Sequence, residues 1–393
     1  MLGGQGHHDR WILRTLALVH ADGVGEHQVL ELVPVEITEL VPEGRAIFRA
    51  GARVLQVGEA GPVGLGQLAP ALALLEAGHE VVVLDDFSNS SPESLKRVGE
   101  LAGSEAVLVE GDVGDREALT QLFANHEDIS AVMHFAAFKA VGESTEKPLA
   151  YYHNNVGGSI ALLEVMDKFG VRDLVFSSSC TVYGEPETVP IKEDNPVGGV
   201  VSPYGRTKYL VEMILQDLCL SDSRWNAAIL RYFNPVGAHS SGRLGENPLG
   251  TPENLIPVIC QVVAGKLEKL LVFGDDYPTR DGTCVRDYLH VMDLADAHLK
   301  ALEKLSDGPG AFFVNLGTGH GSTVLEVVKA FEEVTGKKVV REFVKKRPGD
   351  IVEAWADPSF AKEHLGWNAT RDLKEMLSDA WRWQTESPRG YDT

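Results

Sequence analysis

The chain has 393 residues, with 57 Asp and Glu against 36 Lys and Arg and a formal net charge of −21. That length suits two packed domains of roughly 100–200 residues each, and the acidic balance speaks against a nucleic-acid binder, which needs Lys/Arg patches for phosphate backbones. No stretch reaches the roughly 18 apolar residues of a membrane span. No basic-then-apolar secretory signal is visible. Cys180, Cys219, Cys260 and Cys284 show no C-x-x-C or His-rich spacing, which predicts reduced thiols in a cytoplasmic protein and no metal site.

Residues 1–50 do not share the pattern of the rest. Met1–His8 is rich in Gly and His, Val29–Val33 and Val35–Ile37 have the apolar runs of short strands, and no chemistry is evident; the segment reads as an extension of unknown role. From Arg53 a β-α-β rhythm begins. Arg53–Val57 reads as a buried strand, followed by a Gly-rich turn, a helix through Leu68–Ala77 and a second strand, Glu80–Leu84, ending in Asp85-Asp86. Apolar strands recur at Ala106–Glu110, Ala131–Phe135, Asp173–Ser177 and Ala227–Tyr232, with helices near Arg116–His126, Ala150–Phe169 and Tyr204–Leu220. This alternation predicts an α/β fold, a doubly wound parallel sheet of the Rossmann-like kind, with its ligand outside the carboxyl ends of the strands. After Phe233, Pro, Gly and Asn become frequent and the rhythm breaks. Residues 51–233 are expected to form the dinucleotide-binding domain. Residues 234–393 are expected to form a smaller α/β domain closing over the active site, with some chain crossing between the two. Its helices are expected at Leu255–Gly265, Val291–Leu305, Val324–Thr335 and Leu373–Glu386.

Two motifs carry chemistry. Gly58-Glu59-Ala60-Gly61-Pro62-Val63-Gly64 is a G-x-x-G-x-x-G turn between strand and helix. Glycines there let the backbone approach a pyrophosphate, whose charge the helix N-terminus attracts. Asp85, 21 residues beyond Gly64, is placed to accept from ribose hydroxyls and would repel a 2′-phosphate, so NAD is favoured over NADP. The second motif is Tyr204-Gly205-Arg206-Thr207-Lys208. Residues four apart on a helix stand on one face. A phenol with an ordinary pKa of about 10 is a poor base at neutral pH, but a fixed ammonium one turn away favours the phenolate. Such a pair can take a proton from an alcohol while a hydride leaves its carbon.

From about Leu72 to its end the chain resembles the UDP-glucose 4-epimerases of the extended short-chain dehydrogenase/reductase family. The resemblance rests on His134–Ser144 (HFAAFKAVGES), Ser177–Gly184 (SSSCTVYG), Ser202–Lys208 (SPYGRTK), Leu230–Pro235 (LRYFNP), Val285–Val291 (VRDYLHV) and Asn315–Gly319 (NLGTG). It implies NAD as a tightly held prosthetic group and a UDP-sugar substrate, inverted at C4 through a transient 4-keto sugar. It implies Tyr204 as base, Lys208 on the nicotinamide ribose, and Ser179, supported by Thr181, on the sugar 4-hydroxyl. On the cofactor side it adds Asp85, Asp86 and Asn89 at the adenosine ribose, Asp112 and Val113 near the adenine, and Phe135, Lys139, Asn154 and Tyr232 around the rest. On the substrate side it implies Asn234, Asn254, Leu255, Val272, Phe273, Arg286, Arg347 and Asp350. The arginines make physical sense, since guanidinium forks bind phosphate oxygens bidentately. It also implies a homodimer through the helices carrying Ala150–Phe169 and Tyr204–Lys208.

Related dehydratases and decarboxylases place carboxylic acids after the active-site hydroxyl; here Cys180 and Thr181 stand there, which favours plain epimerisation. Ala354 occupies the place where a bulky Tyr excludes N-acetyl groups in this family, so UDP-GlcNAc and UDP-GalNAc are expected substrates as well. Two departures stand out: Glu59 sets negative charge beside the expected pyrophosphate, and Ala137 replaces a Gly near the cofactor. The alternatives are a non-catalytic NAD or sugar-nucleotide binder, which needs no phenolate, and another NAD-dependent UDP-sugar epimerase.

Overall fold

Apolar runs rich in Val, Ile and Leu alternate with helical stretches, and the chain folds accordingly as strand, crossover helix, strand. The computed structural model describes residues 52–58, 65–247, 250, 252–347 and 349–392. The 1–50 extension, Glu59, Gly61 and Gly64 lie outside the described residues. The first half comprises β1 (Arg53–Val57), α1 (Leu65–Glu76), β2 (Glu80–Asp85), α2 (Pro92–Ala102), β3 (Val107–Glu110), α3 (Arg116–Asn125), β4 (Ile129–His134), α4 (Val141–Glu146) and α5 (Pro148–Tyr151). A π-helical stretch (Tyr152–Gly157), α6 (Gly158–Phe169), β5 (Asp173–Ser179), a 3-10 turn (Cys180–Tyr183), α7 (Pro203–Ser221) and β6 (Asn226–Tyr232) follow. The second half comprises β7 (Asn234–Val236), α8 (Leu255–Val263), β8 (Leu270–Phe273), β9 (Val285–His290), α9 (Val291–Leu305), β10 (Ala311–Leu316), β11 (Gly321–Thr323), α10 (Val324–Thr335), β12 (Arg341–Val344), β13 (Glu353–Ala354), α11 (Ser359–Leu365) and α12 (Leu373–Glu386).

Seven strands form one parallel sheet in the order β10-β6-β5-β4-β1-β2-β3. The order reverses between β1 and β4, and at that switch point the strand ends open a crevice for a ligand. Helices α1, α2 and α9 cover one face, where Leu72, Val98 and Leu294 pack with Val54, Val81 and Met133. Helices α3, α6 and α7 cover the other, where Phe123, Leu162 and Leu215 pack with Leu55, Val132 and Phe176. Burial on both faces is why these strands read as near-continuous apolar runs rather than as alternations.

The later chain builds two small sheets, β11-β9-β13 with β7 also on β9, and β8 with β12. Helices α8, α10 and α12 pack beside them through Ile259, Phe331 and Leu377. β10 returns to the large sheet and pairs with β6. The buried Asp287 of β9 clips these parts together. It accepts from Thr318 N (2.9 Å), Gly319 N (3.1 Å) and Ala356 N (3.2 Å), which explains why both the Val285–Val291 and Asn315–Gly319 motifs stand out in the sequence. The expected Ala150–Phe169 helix is present but broken in register: a π-helical turn separates α5 from α6.

Candidate active site

Chemistry gathers at the carboxyl ends of the large sheet. Gly58 follows β1, Asp85 closes β2, Phe135 follows β4, Ser179 closes β5 and Tyr232 closes β6. A Cβ added at Gly58 would lie 2.3 Å from Asp85 Oδ2 and 2.9 Å from Leu84 O, so only a glycine lets β1 end against that carboxylate. Asp85 is itself held: Oδ1 accepts from Phe87 N (2.9 Å) and Ser90 Oγ (2.6 Å). Asp86 Oδ1 accepts from Ser88 N and Oγ (3.0 and 2.8 Å). A small recess is lined by Asp85, Phe87, Ser90 and Leu108. A glycine with no room for a side chain at the end of β1, beside a fixed and buried carboxylate at the end of the neighbouring β2, fits a dinucleotide ribose.

Helix α7, which carries Tyr204 and Lys208, starts at a defined point. Ser202 caps it, accepting from Gly205 N at 3.2 Å, and Pro203 occupies the first turn, where its missing N–H costs nothing. Gly205 is required by close approach: a Cβ there would lie 2.4 Å from Val200 and 3.2 Å from Thr181 Oγ1. Tyr204 and Lys208 follow one turn apart. Lys208 is 4% exposed; its Nζ donates to Ser177 O at 2.6 Å and lies 5.0 Å from the centre of the Phe176 ring. Two residues further along β5, Ser179 Oγ accepts from Thr181 N (3.2 Å) and Thr181 Oγ1 (3.0 Å). Both lone pairs are thereby used, and the Ser179 O–H is left to donate.

The neighbours of this centre are kept neutral. His134 Nε2 meets Ser159 Oγ at 2.8 Å, and Ser159 donates to Asn155 O at 2.6 Å, so Nε2 carries the ring proton. Burial first, and the Lys208 charge second, push the His134 pKa down to about 3. Burial also pushes the Cys180 thiol up to about 12, so it is no acid at neutral pH. Tyr232 donates to His298 Nε2 at 2.6 Å, and His298 Nδ1 donates to Leu294 O at 2.8 Å; burial pushes His298 down to about 4.

Asn154 was anticipated from the sequence, but its neighbour Asn155 was not. Asn155 Oδ1 accepts from Phe138 N (2.7 Å) and from Asn154 Nδ2 (3.0 Å), and its Nδ2 donates to Phe138 O and Thr207 Oγ1, both at 2.9 Å. Thr207 in turn donates to Tyr204 O at 2.7 Å. The π-helical turn thus ties the loop bearing Lys139 to the turn bearing Tyr204, a use of π-bulges common at functional sites. The signal in the sequence was the Asn-Asn pair inside a helix, where Asn is disfavoured unless its side chain has work elsewhere. Asp112 turns back on its own loop, accepting from Gly114 N at 2.7 Å, and Val113 is buried beneath α6, where a Cβ on Gly158 would lie 2.8 Å from it.

The anticipated substrate residues fall into two groups. Strand β9 gathers the first: Arg286 pairs with Ala354 of β13, and Tyr288 pairs with Asn234 of β7. Ala354 is buried in a cluster with Tyr183 and Phe233, against which Cys180 packs; it thus lies beside the turn that follows Ser179. The β8–β12 pair gathers the second: Val272 and Phe273 are on β8, and Arg347 and Asp350 follow β12. The Arg347 guanidinium carbon stands 3.7 Å from the centre of the Phe273 ring, a cation–π contact that holds the fork in place. Asn254 donates to Glu246 Oε1 at 3.3 Å, and Leu255 opens α8. Among the described residues no cluster of side chains suits a metal ion.

A strand-end serine with a Y-x-x-x-K helix beside a Rossmann-like crevice defines an NAD-dependent short-chain dehydrogenase-type site. Residues 57–317 match the NAD dependent epimerase/dehydratase family, and the chain belongs to that family. It is 55% identical over 338 residues to the UDP-glucose 4-epimerase of Bacillus subtilis (strain 168), covering 86% of this chain and 98% of that one. The solved UDP-glucose-4-epimerase from Stenotrophomonas maltophila, with bound NAD and formylated UDP-arabinopyranose, superposes with a TM-score of 0.83 at 47% identity over 86% of this chain and 99% of that one. The enzyme from Bifidobacterium longum in complex with NAD+ and UDP gives 0.82 at 45% identity, again over 86% and 99%.

Proposed function

We infer that the chain is an isomerase that uses NAD to interconvert UDP-glucose and UDP-galactose at C4, in galactose metabolism. The family match, the curated relative and the NAD-bound solved relatives support this. The observation that carries the residue assignment is the bond from Lys208 to Ser177 O, two residues before Ser179. It sets the Tyr204–Lys208 face of α7 against the strand end that bears the second hydroxyl.

Gly58, Asp85, Asp86, Asn89, Phe135, Lys139, Asn154, Lys208 and Tyr232 hold the cofactor. What NAD supplies when bound is a reversible acceptor for the C4 hydride. Tyr204 takes the 4-hydroxyl proton as general base. Ser179, its lone pairs filled by Thr181, donates its O–H to the sugar O4 and so steadies the 4-keto state. Arg286, Arg347 and Asn234 anchor the UDP half, which leaves the hexose free to turn and present its other face; binding energy remote from the reacting carbon is thereby used without fixing the sugar. With Cys180 un-ionised and Thr181 neutral, no acid stands by to expel water or CO2.

Residues 51–233 form the cofactor domain and 234–393 the UDP-sugar domain, with β10 crossing back. Ala354, standing where the family can carry a bulky Tyr, supports the reading that UDP-GlcNAc and UDP-GalNAc are accepted as well. The exposed Leu210 and Met213 on α7 and the exposed Leu149 on α5 support a homodimer built on these helices. The cytoplasmic placement rests on cysteine usage.

The test is to purify the protein without added cofactor, measure bound dinucleotide, and follow UDP-galactose conversion for wild type and Tyr204→Phe. Loss of a general base costs about 10²–10⁴-fold in kcat. Full activity in Tyr204→Phe would overturn the assignment.

A further inference from the structure

Below the reacting residues lies a buried polar group that the chemistry above does not use. Glu212 stands one turn beyond Lys208 and two beyond Tyr204 on the same face of α7. It is 2% exposed. Its Oε1 accepts from Ser178 Oγ at 2.5 Å and from Arg231 Nε at 3.0 Å; its Oε2 accepts from Arg231 Nη2 at 2.7 Å. Arg231, also buried, continues to Tyr183 Oη (2.8 Å), which donates to Asn315 Oδ1 (2.7 Å) on β10. The Arg231 guanidinium lies between the Tyr183 and Phe313 rings, 4.9 and 4.6 Å from their centres.

Apolar packing of Val211 and Leu215 against Leu174 and Phe176 holds α7 on the sheet, and directional bonds add to it. Here two polar bonds fix the register at consecutive residues of β5: Lys208 on Ser177, and Glu212 on Ser178. The next residue is Ser179. Arg231 adds the neighbouring strand to the same anchor, immediately before Tyr232.

We propose that Glu212, held by Ser178 and Arg231, is a positioning residue for the epimerisation: it sets the register of α7 on β5, and with it the placement of Tyr204 relative to Ser179. It touches neither substrate nor cofactor and acts through the backbone of β5 and the turns of α7. This rests on Tyr204 and Ser179 being the reacting groups. A misplacement of about 1 Å can cost about 10²-fold in rate, while ground-state binding by residues elsewhere is left alone.

Replacing Glu212 strands a buried Arg231 and endangers the fold, so the informative variant is Ser178→Ala. It removes one bond from Glu212 and leaves both of its bonds to Arg231. The expected result is a fall in kcat of tenfold or more, with KM for UDP-galactose within twofold, bound NAD unchanged, the fold retained with a melting temperature lowered only by the loss of one buried hydrogen bond, and the Tyr204 phenolate titration displaced. That titration is read at 295 nm as the difference from a Tyr204→Phe protein. The other tyrosines in strongly buried surroundings stay out of range, since burial pushes Tyr183 and Tyr288 up to about 12. A kcat within twofold of wild type overturns the proposal, as does a fall in kcat that comes only with lost NAD, or one with the Tyr204 titration unmoved. If instead Tyr204→Phe is fully active, it is the assignment of the reacting groups that has failed, and the two failures are told apart.

Discussion

Gly58→Ala probes the cofactor crevice with a single methyl. The new Cβ would stand 2.3 Å from Asp85 Oδ2, 2.7 Å from Asp85 Cγ and 2.9 Å from Leu84 O. None of these atoms gives way easily. Leu84 O is fixed by the Gly58 N–H itself, at 2.6 Å, and the Asp85 carboxylate is held from the other side by Phe87 N and Ser90 Oγ. Either the carboxylate turns, giving up two internal bonds and its aim at the ribose, or β1 moves away from β2. A hydrogen bond to a charged acceptor is worth about 1.5–3 kcal/mol, so losing one such ribose bond weakens NAD binding by roughly 10–150-fold at about 1.4 kcal/mol per decade. Overpacking adds about 1–3 kcal/mol of lost stability. Dinucleotide content after purification, and calorimetric titration of NAD+ into stripped protein, read the effect directly. A variant that purifies with full cofactor and binds NAD+ within threefold of wild type would refute both the steric reasoning and the role given to Asp85.

Ala354→Tyr fills the space beside the turn after Ser179; activity on UDP-GlcNAc is expected to fall at least tenfold with UDP-galactose turnover retained, and equal retention of both would remove Ala354 from the specificity account. Asn155→Ala cuts the bonds to Phe138 and Thr207; kcat is expected to drop about tenfold with a stability loss of about 1–3 kcal/mol from the unsatisfied backbone groups, measured by steady-state kinetics and urea unfolding. Leu210→Glu is expected to convert a dimer to monomers in light scattering, whereas an unchanged mass would clear α7 from the interface. His298 has a folded pKa lowered to about 4 against about 6.5 unfolded. As pH falls from 6.5 towards 4 the unfolded chain therefore takes a proton that the native state refuses, and stability declines by about 1.4 kcal/mol per pH unit for this group. Buried carboxylates whose pKa is raised, Asp287 and Glu193, act in the opposite direction, so the test is differential: His298→Asn should flatten the wild-type slope by about that amount in urea unfolding between pH 6.5 and 4.5, and an identical slope would sink the claim of a neutral buried imidazole.

The sequence disclosed most about those parts of the molecule where local physics and global fold agree. The large parallel sheet was legible because its central strands are buried on both faces and so show as mostly apolar runs, with polar residues such as Asp85, Ser178, Ser179 and Arg231 gathered at their carboxyl ends. The Tyr204–Lys208 pair was legible because helical spacing alone puts both on one face. Less could be read where a residue's work is done over long sequence separations. Nothing local to Asp287 says that it will meet Thr318 and Ala356, and nothing local to β10 says that it will return past the second domain to pair with β6. The π-helical turn was hidden for a related reason. The Ala150–Phe169 pattern is helical throughout, and the extra residue in the turn is repaid only by Asn155 reaching Phe138 on one side and Thr207 on the other, 17 and 52 residues away.

That contrast also says where the molecule's precision comes from. The proposed reacting groups sit on two elements, β5 and α7, that are joined by a loop from Gly184 to Ser202 and are packed together through Leu174, Phe176, Val211 and Leu215. Three polar ties add to that packing: Lys208 to Ser177, Glu212 to Ser178, and Thr207 through Asn155 to Phe138. All three come from a stretch of α7 running from Thr207 to Glu212; two reach adjacent residues at the carboxyl end of β5, immediately before Ser179, and the third reaches the loop carrying Lys139. A helix held at three points by directional bonds resists sliding and rotation, and the turn that bears Tyr204 is held with it.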